Sequence, residues 1–178
     1  STRNRRDIAD KSIREWMDRM PAGSRLVIVD DASDIPLRGT SAGARPRVKT
    51  TVIRHDVPLG VAMAKNAGID ALMGSGCTDL FLADDDIHPV TSDCWQPYIE
   101  SPEQHLSWQW TTREPWTEKF DDGTHWAIGF PRGVLLCATR QVTDAAGGLE
   151  LAYGVHGADA GERRKPNTKQ RSARHPQT

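Results

Sequence analysis

Phe81-Leu82-Ala83-Asp84-Asp85-Asp86-Ile87-His88-Pro89 joins a short apolar run to three consecutive aspartates. The run reads as a buried strand, and open α/β sheets gather their ligands at the carboxyl ends of such strands. Three adjacent carboxylates repel one another unless a cation lies among them, and oxygen-only ligation suits Mg²⁺ or Mn²⁺. A divalent ion held there would carry a phosphorylated substrate. The competing reading is a solvated loop whose aspartates cap a following helix. Val27-Ile28-Val29-Asp30-Asp31-Ala32-Ser33-Asp34 repeats the pattern. A carboxylate at that second strand end suits a base N–H or a ribose hydroxyl, against the alternative of an Asp/Ser turn satisfying loop backbone. Two strands of one sheet, both ending in acids, aim them at one rim.

Working outward, residues 7–20 place Ile8, Ala9, Ile13, Trp16, Met17 and Met20 at mostly helical spacing, with Asp7 placed as N-cap. Pro21-Ala22-Gly23-Ser24 stops that helix. Arg25 to Val29 is a continuous apolar run of the kind buried on both faces. Residues 36–46 read as a Gly/Pro/Ser loop, and 47–54 as a strand rich in β-branched residues. Leu59 to Met73 reads as a helix closed by Gly74-Ser75-Gly76. The alternation predicts an α/β fold: a mostly parallel sheet with helices on both faces, an α/β/α sandwich.

The second half differs. Leu106 to Trp110 and Gly133 to Ala138 read as strands around an aromatic and polar insertion, residues 111–131. Asp121-Asp122-Gly123 within it signals a hairpin. Trp116 and Trp126 offer either a stacking wall for a sugar or plain packing. Residues 139–147 read as a short helix ending at Gly147-Gly148.

At 178 residues the chain is long enough for one substantial core. The expected organisation is one domain over 1–160, with a donor-binding half (1–90) and an acceptor-side half (91–160). Residues 161–178 hold six Arg/Lys and one Glu, a local +5, leaving 17 basic and 23 acidic residues elsewhere. That basic tail has almost no large apolar residue and is expected to be disordered, with nucleic acid or an anionic surface as the alternative use. No apolar stretch reaches membrane-spanning length, and no signal-peptide pattern opens the chain. Three widely spaced cysteines form neither a zinc pattern nor a disulfide framework, so a reducing, cytoplasmic setting is the expectation.

The order "VIVDDASD", "GVAMAKNAGIDAL", "LFLADDDIHP" resembles the nucleotide-binding half of GT-A glycosyltransferases, most of all the large family-2-like group. The resemblance covers residues 1–90, and 130–165 more loosely. It implies a metal-dependent glycosyltransferase that moves a sugar from a nucleotide-diphosphate sugar, UDP by default, to an acceptor hydroxyl. The acceptor (glycan, protein, lipid or modified nucleic acid) and the choice between inversion and retention are left open, with inversion expected. By resemblance Asp30 and Asp31 contact the nucleoside, and Lys65 and Asn66 lie near the nucleotide. Asp84 and Asp86, around Asp85, form the Asp-x-Asp element for Mn²⁺ or Mg²⁺ and the diphosphate. Arg3, Asn4 and Arg5 resemble the loop that follows the family's opening strand, so the chain is expected to lack that central strand. In "GVLLCATRQVTDAAGGLELAYGVHGADAGERR" the acidic pair of the family is reduced to Ala158-Asp159. Asp159 is thus the implied general base, against the alternative of a helix N-cap. His156 and His175 have no context that assigns them a role.

Two other classes fit part of the pattern. "LVIVDD" also resembles a phosphoacceptor receiver domain, but no suitable lysine follows residue 119 before the tail. A degenerate, non-catalytic sugar-nucleotide-binding domain is the other alternative, and turnover separates it from the enzyme.

Overall fold

Alternation along β1 (Arg25–Asp30) sets the layering. Leu26 and Ile28 join Ala9, Ile13 and Met17 of α1 (Arg6–Arg19) in one cluster, with Leu37 and with Val52 of β2 (Lys49–Arg54). Val27 points the other way, against Ile69 and Leu72 of α2 (Val61–Gly74) and Leu80 of β3 (Asp79–Ala83). Successive strand residues face opposite sides, so α1 and α2 cover opposite faces of β1. At Gly68 α2 packs over β1 at ordinary contact distance, a Cβ there lying 3.7 Å from Val29 Cγ2. This is the helix–strand–helix layering expected of the first half. The described residues are 1–37, 47–108, 118–121, 125–128, 133–151 and 171–173 of this computed structural model.

The helix ends shift slightly from expectation. Arg5 holds the cap position of α1, and Asp7 falls in its first turn, where a negative charge meets the positive end of the helix dipole. α2 opens after Gly60, whose φ of +89° is the left-handed region that favours glycine.

The expectation of a mostly parallel sheet is corrected. β1 and β2 pair in parallel, from Arg25↔Lys49 to Asp30↔Arg54. The other strands form a second sheet in the order β3-β7-β4-β8-β6-β5. It comprises β4 (His105–Ser107), β5 (Glu118–Asp121), β6 (His125–Ile128), β7 (Leu135–Thr139) and β8 (Arg171–Ala173) beside β3. Four of its pairings are antiparallel, and β4–β8 is parallel. Parallel neighbours need a crossover long enough to return the chain to the same edge. Between β3 and β7 the only described helix, α3 (Gln96–Ile99), has four residues. β5 and β6 pair as the hairpin expected at Asp121-Asp122-Gly123, the turn itself lying outside the described residues. Of the strand expected over 106–110, β4 holds residues 106 and 107, Trp108 N–H donates to the Leu135 carbonyl at 3.0 Å, and residues 109–110 lie outside the described residues. Arg171–Ala173, in the basic tail, enter the sheet as β8 by backbone pairing, which does not require apolar side chains.

α4 (Arg140–Ala146) is capped by Thr139, whose hydroxyl accepts from Val142 N–H, and ends at Gly147 with φ +77°. Trp95 packs against Trp16, with ring centroids 4.9 Å apart, and edge-on against Phe81 at 5.2 Å. The three cysteines are free, as expected. His105, buried in the centre of the second sheet, is pushed down to about 4 by burial. An unfolded chain takes up this proton near pH 6.5 and the folded one does not, so stability falls as pH drops from 6.5 towards 4. The loss expected is about 3 kcal/mol, and urea midpoints at pH 7 and pH 4.5 check it, with His105→Gln flattening that part of the profile.

Candidate functional site

Both acidic strand ends meet at one rim, joined by the first residues of the chain. Thr2 forms a parallel bridge to Asp30. Its N–H donates to the Val29 carbonyl at 2.9 Å, and its own carbonyl accepts from Asp31 N–H at 2.9 Å. From there the Thr2 hydroxyl reaches across to Asp85 Oδ2 at 2.7 Å. Thr2 thus ties the end of β1 to the end of β3, a role its sequence position did not advertise.

The three aspartates are held by three different partners. Lys65, buried on α2, lies 2.9 Å from Asp84 Oδ1 and donates to the Gly133 carbonyl at 2.9 Å. Arg5 places one guanidinium nitrogen 2.7 Å from Asp85 Oδ1 and the other 3.0 Å from Asp86 Oδ2. The hydrogen bond to Asp86, then the charge of Asp85, hold Arg5 above its ordinary range. Beyond the aspartates, the Ile87 carbonyl accepts from Ser12 Oγ at 2.7 Å and Trp16 Nε1 at 2.8 Å. The acidic loop is therefore anchored on α1. The side chains of Asp84 and Asp86 remain 36% and 49% exposed, against 9% for Asp85.

Asp30 and Asp31 turn inward. Asp30 is fully buried: Oδ1 accepts from Ser33 N–H at 3.0 Å, and Oδ2 accepts from Leu37 N–H at 3.1 Å and Arg54 Nη1 at 2.5 Å. Asp31 Oδ1 meets His55 Nδ1 at 2.7 Å and accepts from Leu59 N–H at 2.9 Å, while Oδ2 accepts from Gly60 N–H at 2.9 Å. Burial alone pushes both carboxyls up, but these hydrogen bonds outweigh it and the net direction is down. Both acids thus shape the loops after β1 and β2 from within. Arg54 and His55 went unremarked in the sequence, yet they stand at the end of β2, a third strand end on the same rim.

The remaining candidates divide. Asn4, with φ +54°, exchanges hydrogen bonds with Asp34 (3.1 and 2.8 Å), and its N–H donates to Ser33 Oγ at 2.9 Å. Arg3 is exposed beside it. Asn66 faces away from Lys65: Nδ2 donates to the Leu149 carbonyl at 3.0 Å and Oδ1 accepts from Leu149 N–H at 2.7 Å. Asp159, His156 and His175 lie outside the described residues.

A Cβ at Gly148 would stand 2.4 Å from Asn66 Oδ1. Gly148→Ala is therefore expected to break the Asn66 clamp and cost about 2 kcal/mol by urea unfolding. The penalty should shrink in an Asn66→Ala background.

Comparison with protein families gives no match, and comparison with curated proteins gives none. Among solved structures the chain is similar to the mannosyltransferase PcManGT from Pyrobaculum calidifontis, in complex with GDP-Man and Mn²⁺, at TM-score 0.62 and 16% identity. The similarity covers 88% of this chain. This chain therefore shares the fold of that structure over most of its length. The chain spans 48% of the length of that structure. Among the described residues no helix is long and apolar enough to cross a membrane.

The donor set fits a hard divalent ion. Among the described residues no three acidic, His or Cys side chains converge as a closed metal cage. A Mg²⁺-type site beside a diphosphate does not need one, because one or two carboxylates and the phosphates supply the ligands. Asp84 and Asp86 offer such oxygens at an exposed rim, and a guanidinium already spans two of the three carboxylates.

Proposed function

We propose that this chain is a metal-dependent glycosyltransferase of the GT-A type, taking its sugar from a nucleotide-diphosphate donor. The observation that carries the reading is the Asp84–Asp86 loop, set between Thr2, Arg5 and Lys65 on the rim that β1 and β3 share. Asp84 and Asp86 would hold Mn²⁺ or Mg²⁺, which when bound supplies Lewis-acid stabilisation to a diphosphate leaving group.

The chain's own residues do the rest. Lys65 fixes Asp84 from beneath, and Thr2 fixes Asp85, so the loop keeps its shape as charge builds at the rim. Arg5 sits on the exposed side, where it exchanges a carboxylate for a phosphate oxygen through charge-assisted hydrogen bonds. Asp31 holds the Leu59–Gly60 turn that opens α2 and so forms the floor on which a nucleoside lies. Asp159 is the proposed base for the acceptor hydroxyl in a single inverting displacement.

The donor nucleotide is UDP by family habit. The GDP-Man of the structural neighbour makes GDP the second choice. Calorimetric titration with UDP and with GDP, each with Mn²⁺ and then EDTA, tests the reading. Metal-dependent heat with either nucleotide is expected, followed by turnover of a matching donor sugar. Binding without turnover would favour a non-catalytic sugar-nucleotide-binding domain. Absence of binding to both would sink the glycosyltransferase reading.

A further inference from the structure

His55 is a titratable group that the chemistry proposed above leaves unused, and it stands just past β2 on the acidic rim. Its N–H donates to the Asp30 carbonyl at 3.0 Å, and its side chain is 12% exposed. Nδ1 lies 2.7 Å from Asp31 Oδ1. Asp31 also accepts from the Leu59 and Gly60 N–H groups, so it acts as a carboxylate, which only accepts, and Nδ1 is the donor. In the neutral ring the other nitrogen, Nε2, then carries a lone pair. Nε2 has no partner among the described residues. It is not sealed either, because among those residues the one buried side-chain polar atom without a hydrogen bond is Thr50 Oγ1. Nε2 therefore meets solvent at the rim as a fixed acceptor.

The acids beside it have no such freedom. Asp30 is wholly buried, and Asp31 is 8% exposed with both oxygens already accepting from the chain. What these aspartates offer a ligand passes through the ring that Asp31 orients. The surroundings suit a flat group with apolar faces and a polar edge. The loop after β2 exposes Val57 and Leu59, and the loop after β1 exposes Ile35. Arg54 ties the two loops, donating to the Ser33 carbonyl at 2.8 Å. The span to the acidic loop also fits. β2 lies beside β1, Thr2 bridges β1 at Asp30, and the Thr2 hydroxyl bonds Asp85. Three steps of strand spacing put His55 about 14 Å from that loop, the reach of an extended nucleoside diphosphate from base to terminal phosphate.

We propose that His55 reads the base of the donor: its Nε2 accepts a ring N–H and so selects uracil or guanine over cytosine or adenine, given the nucleotide-sugar reading on which this assignment rests. Uracil N3 and guanine N1 carry hydrogen. Cytosine N3 and adenine N1 are lone pairs, which would face the lone pair of Nε2 and be rejected by it. Asp31 is the positioning residue, fixing the tautomer and direction of the ring and, through Leu59 and Gly60, the turn beside it.

The test is calorimetric titration in Mn²⁺, at about pH 8 and so above the ordinary histidine range, of UDP against CDP and of GDP against ADP. Each pair shares ribose and diphosphate, so the ratio of affinities isolates the base. The parent is expected to prefer UDP to CDP, or GDP to ADP, on the order of tenfold. His55→Asn keeps a donor where Nδ1 stood, and with it the bond to Asp31, but has no atom in place of Nε2. Its two affinities should become equal while its urea midpoint stays close to that of the parent. His55→Gln places near Nε2 an amide that can turn either its oxygen or its NH₂ to the base. It should hold both members of a pair about equally, and more tightly than His55→Asn does. A parental ratio in His55→Asn would overturn the proposal and leave His55 as a support for Asp31. So would Mn²⁺-dependent binding to the parent with an equal or reversed preference, and the glycosyltransferase reading would then stand without it. Binding of none of these nucleotides to the parent would remove both.

Discussion

Asp86→Asn is expected to weaken Mn²⁺-dependent nucleotide binding by at least about a hundredfold, roughly 2.7 kcal/mol, while leaving the urea midpoint within about 0.5 kcal/mol of the parent. The two halves of this expectation have separate causes. Asp86 is half exposed and its described partner is Arg5, itself 45% exposed. Such surface pairs contribute little to stability. Binding is another matter, because the amide keeps the shape of the side chain but loses the charge that a hard cation requires. Titration of parent and variant with UDP or GDP, with and without Mn²⁺, reads the effect directly. Equal metal-dependent affinity in the variant would remove Asp86 from the site. Arg5→Gln is the informative companion. If Arg5 serves the phosphates, that variant loses nucleotide affinity in Mn²⁺ while its affinity for Mn²⁺ alone is maintained or improved.

How far the sequence could be read depended on the range of the interaction concerned. The apolar runs at Arg25–Val29 and Asp79–Ala83, and the helical spacing of residues 59–73, are local signals, and the strands and the helix (Val61–Gly74) appear within a residue or two of those signals. Strand direction is not local. The residues of β7 read as a strand in isolation, yet its antiparallel fit between β3 and β4 depends on the path of the connections. The same limit governs the site. Lys65 and Asn66 are adjacent in one helical motif, but about 100° of helical turn separates them. One reaches the acidic loop and the other the Leu149 backbone. Asp30 and Asp31 looked like exposed strand-end acids. Their burial required Arg54 and His55, 24 residues further on, to receive them. Thr2 gave no signal at all, because its importance comes from standing between two strand ends that only the fold brings together.

Asp30→Asn is expected to cost about 3 kcal/mol of stability, the largest loss anticipated for a single rim residue. Every contact of the Asp30 carboxylate is with a donor: Ser33 N–H, Leu37 N–H and the Arg54 guanidinium. An asparagine NH₂ must face one of these donors, and the side chain is wholly buried, so no water relieves the clash. The change also leaves Arg54 without its counter-charge. The expectation has a pH signature that sets it apart from His105. Because the folded-state pKa of Asp30 lies below its ordinary value, its contribution is fully present above about pH 4. It is lost only as pH falls through the folded pKa. In the parent, stability should therefore drop in two windows: between about pH 6.5 and 4 through His105, then below about pH 4 through Asp30 and Asp31. Urea unfolding of Asp30→Asn across this range should show a lower plateau and a reduced loss in the second window, with the first unchanged. A variant as stable as the parent at pH 7 would mean that the buried pair with Arg54 does not hold the loop after β1. The floor proposed for the nucleoside would then have to be held by Asp31 alone.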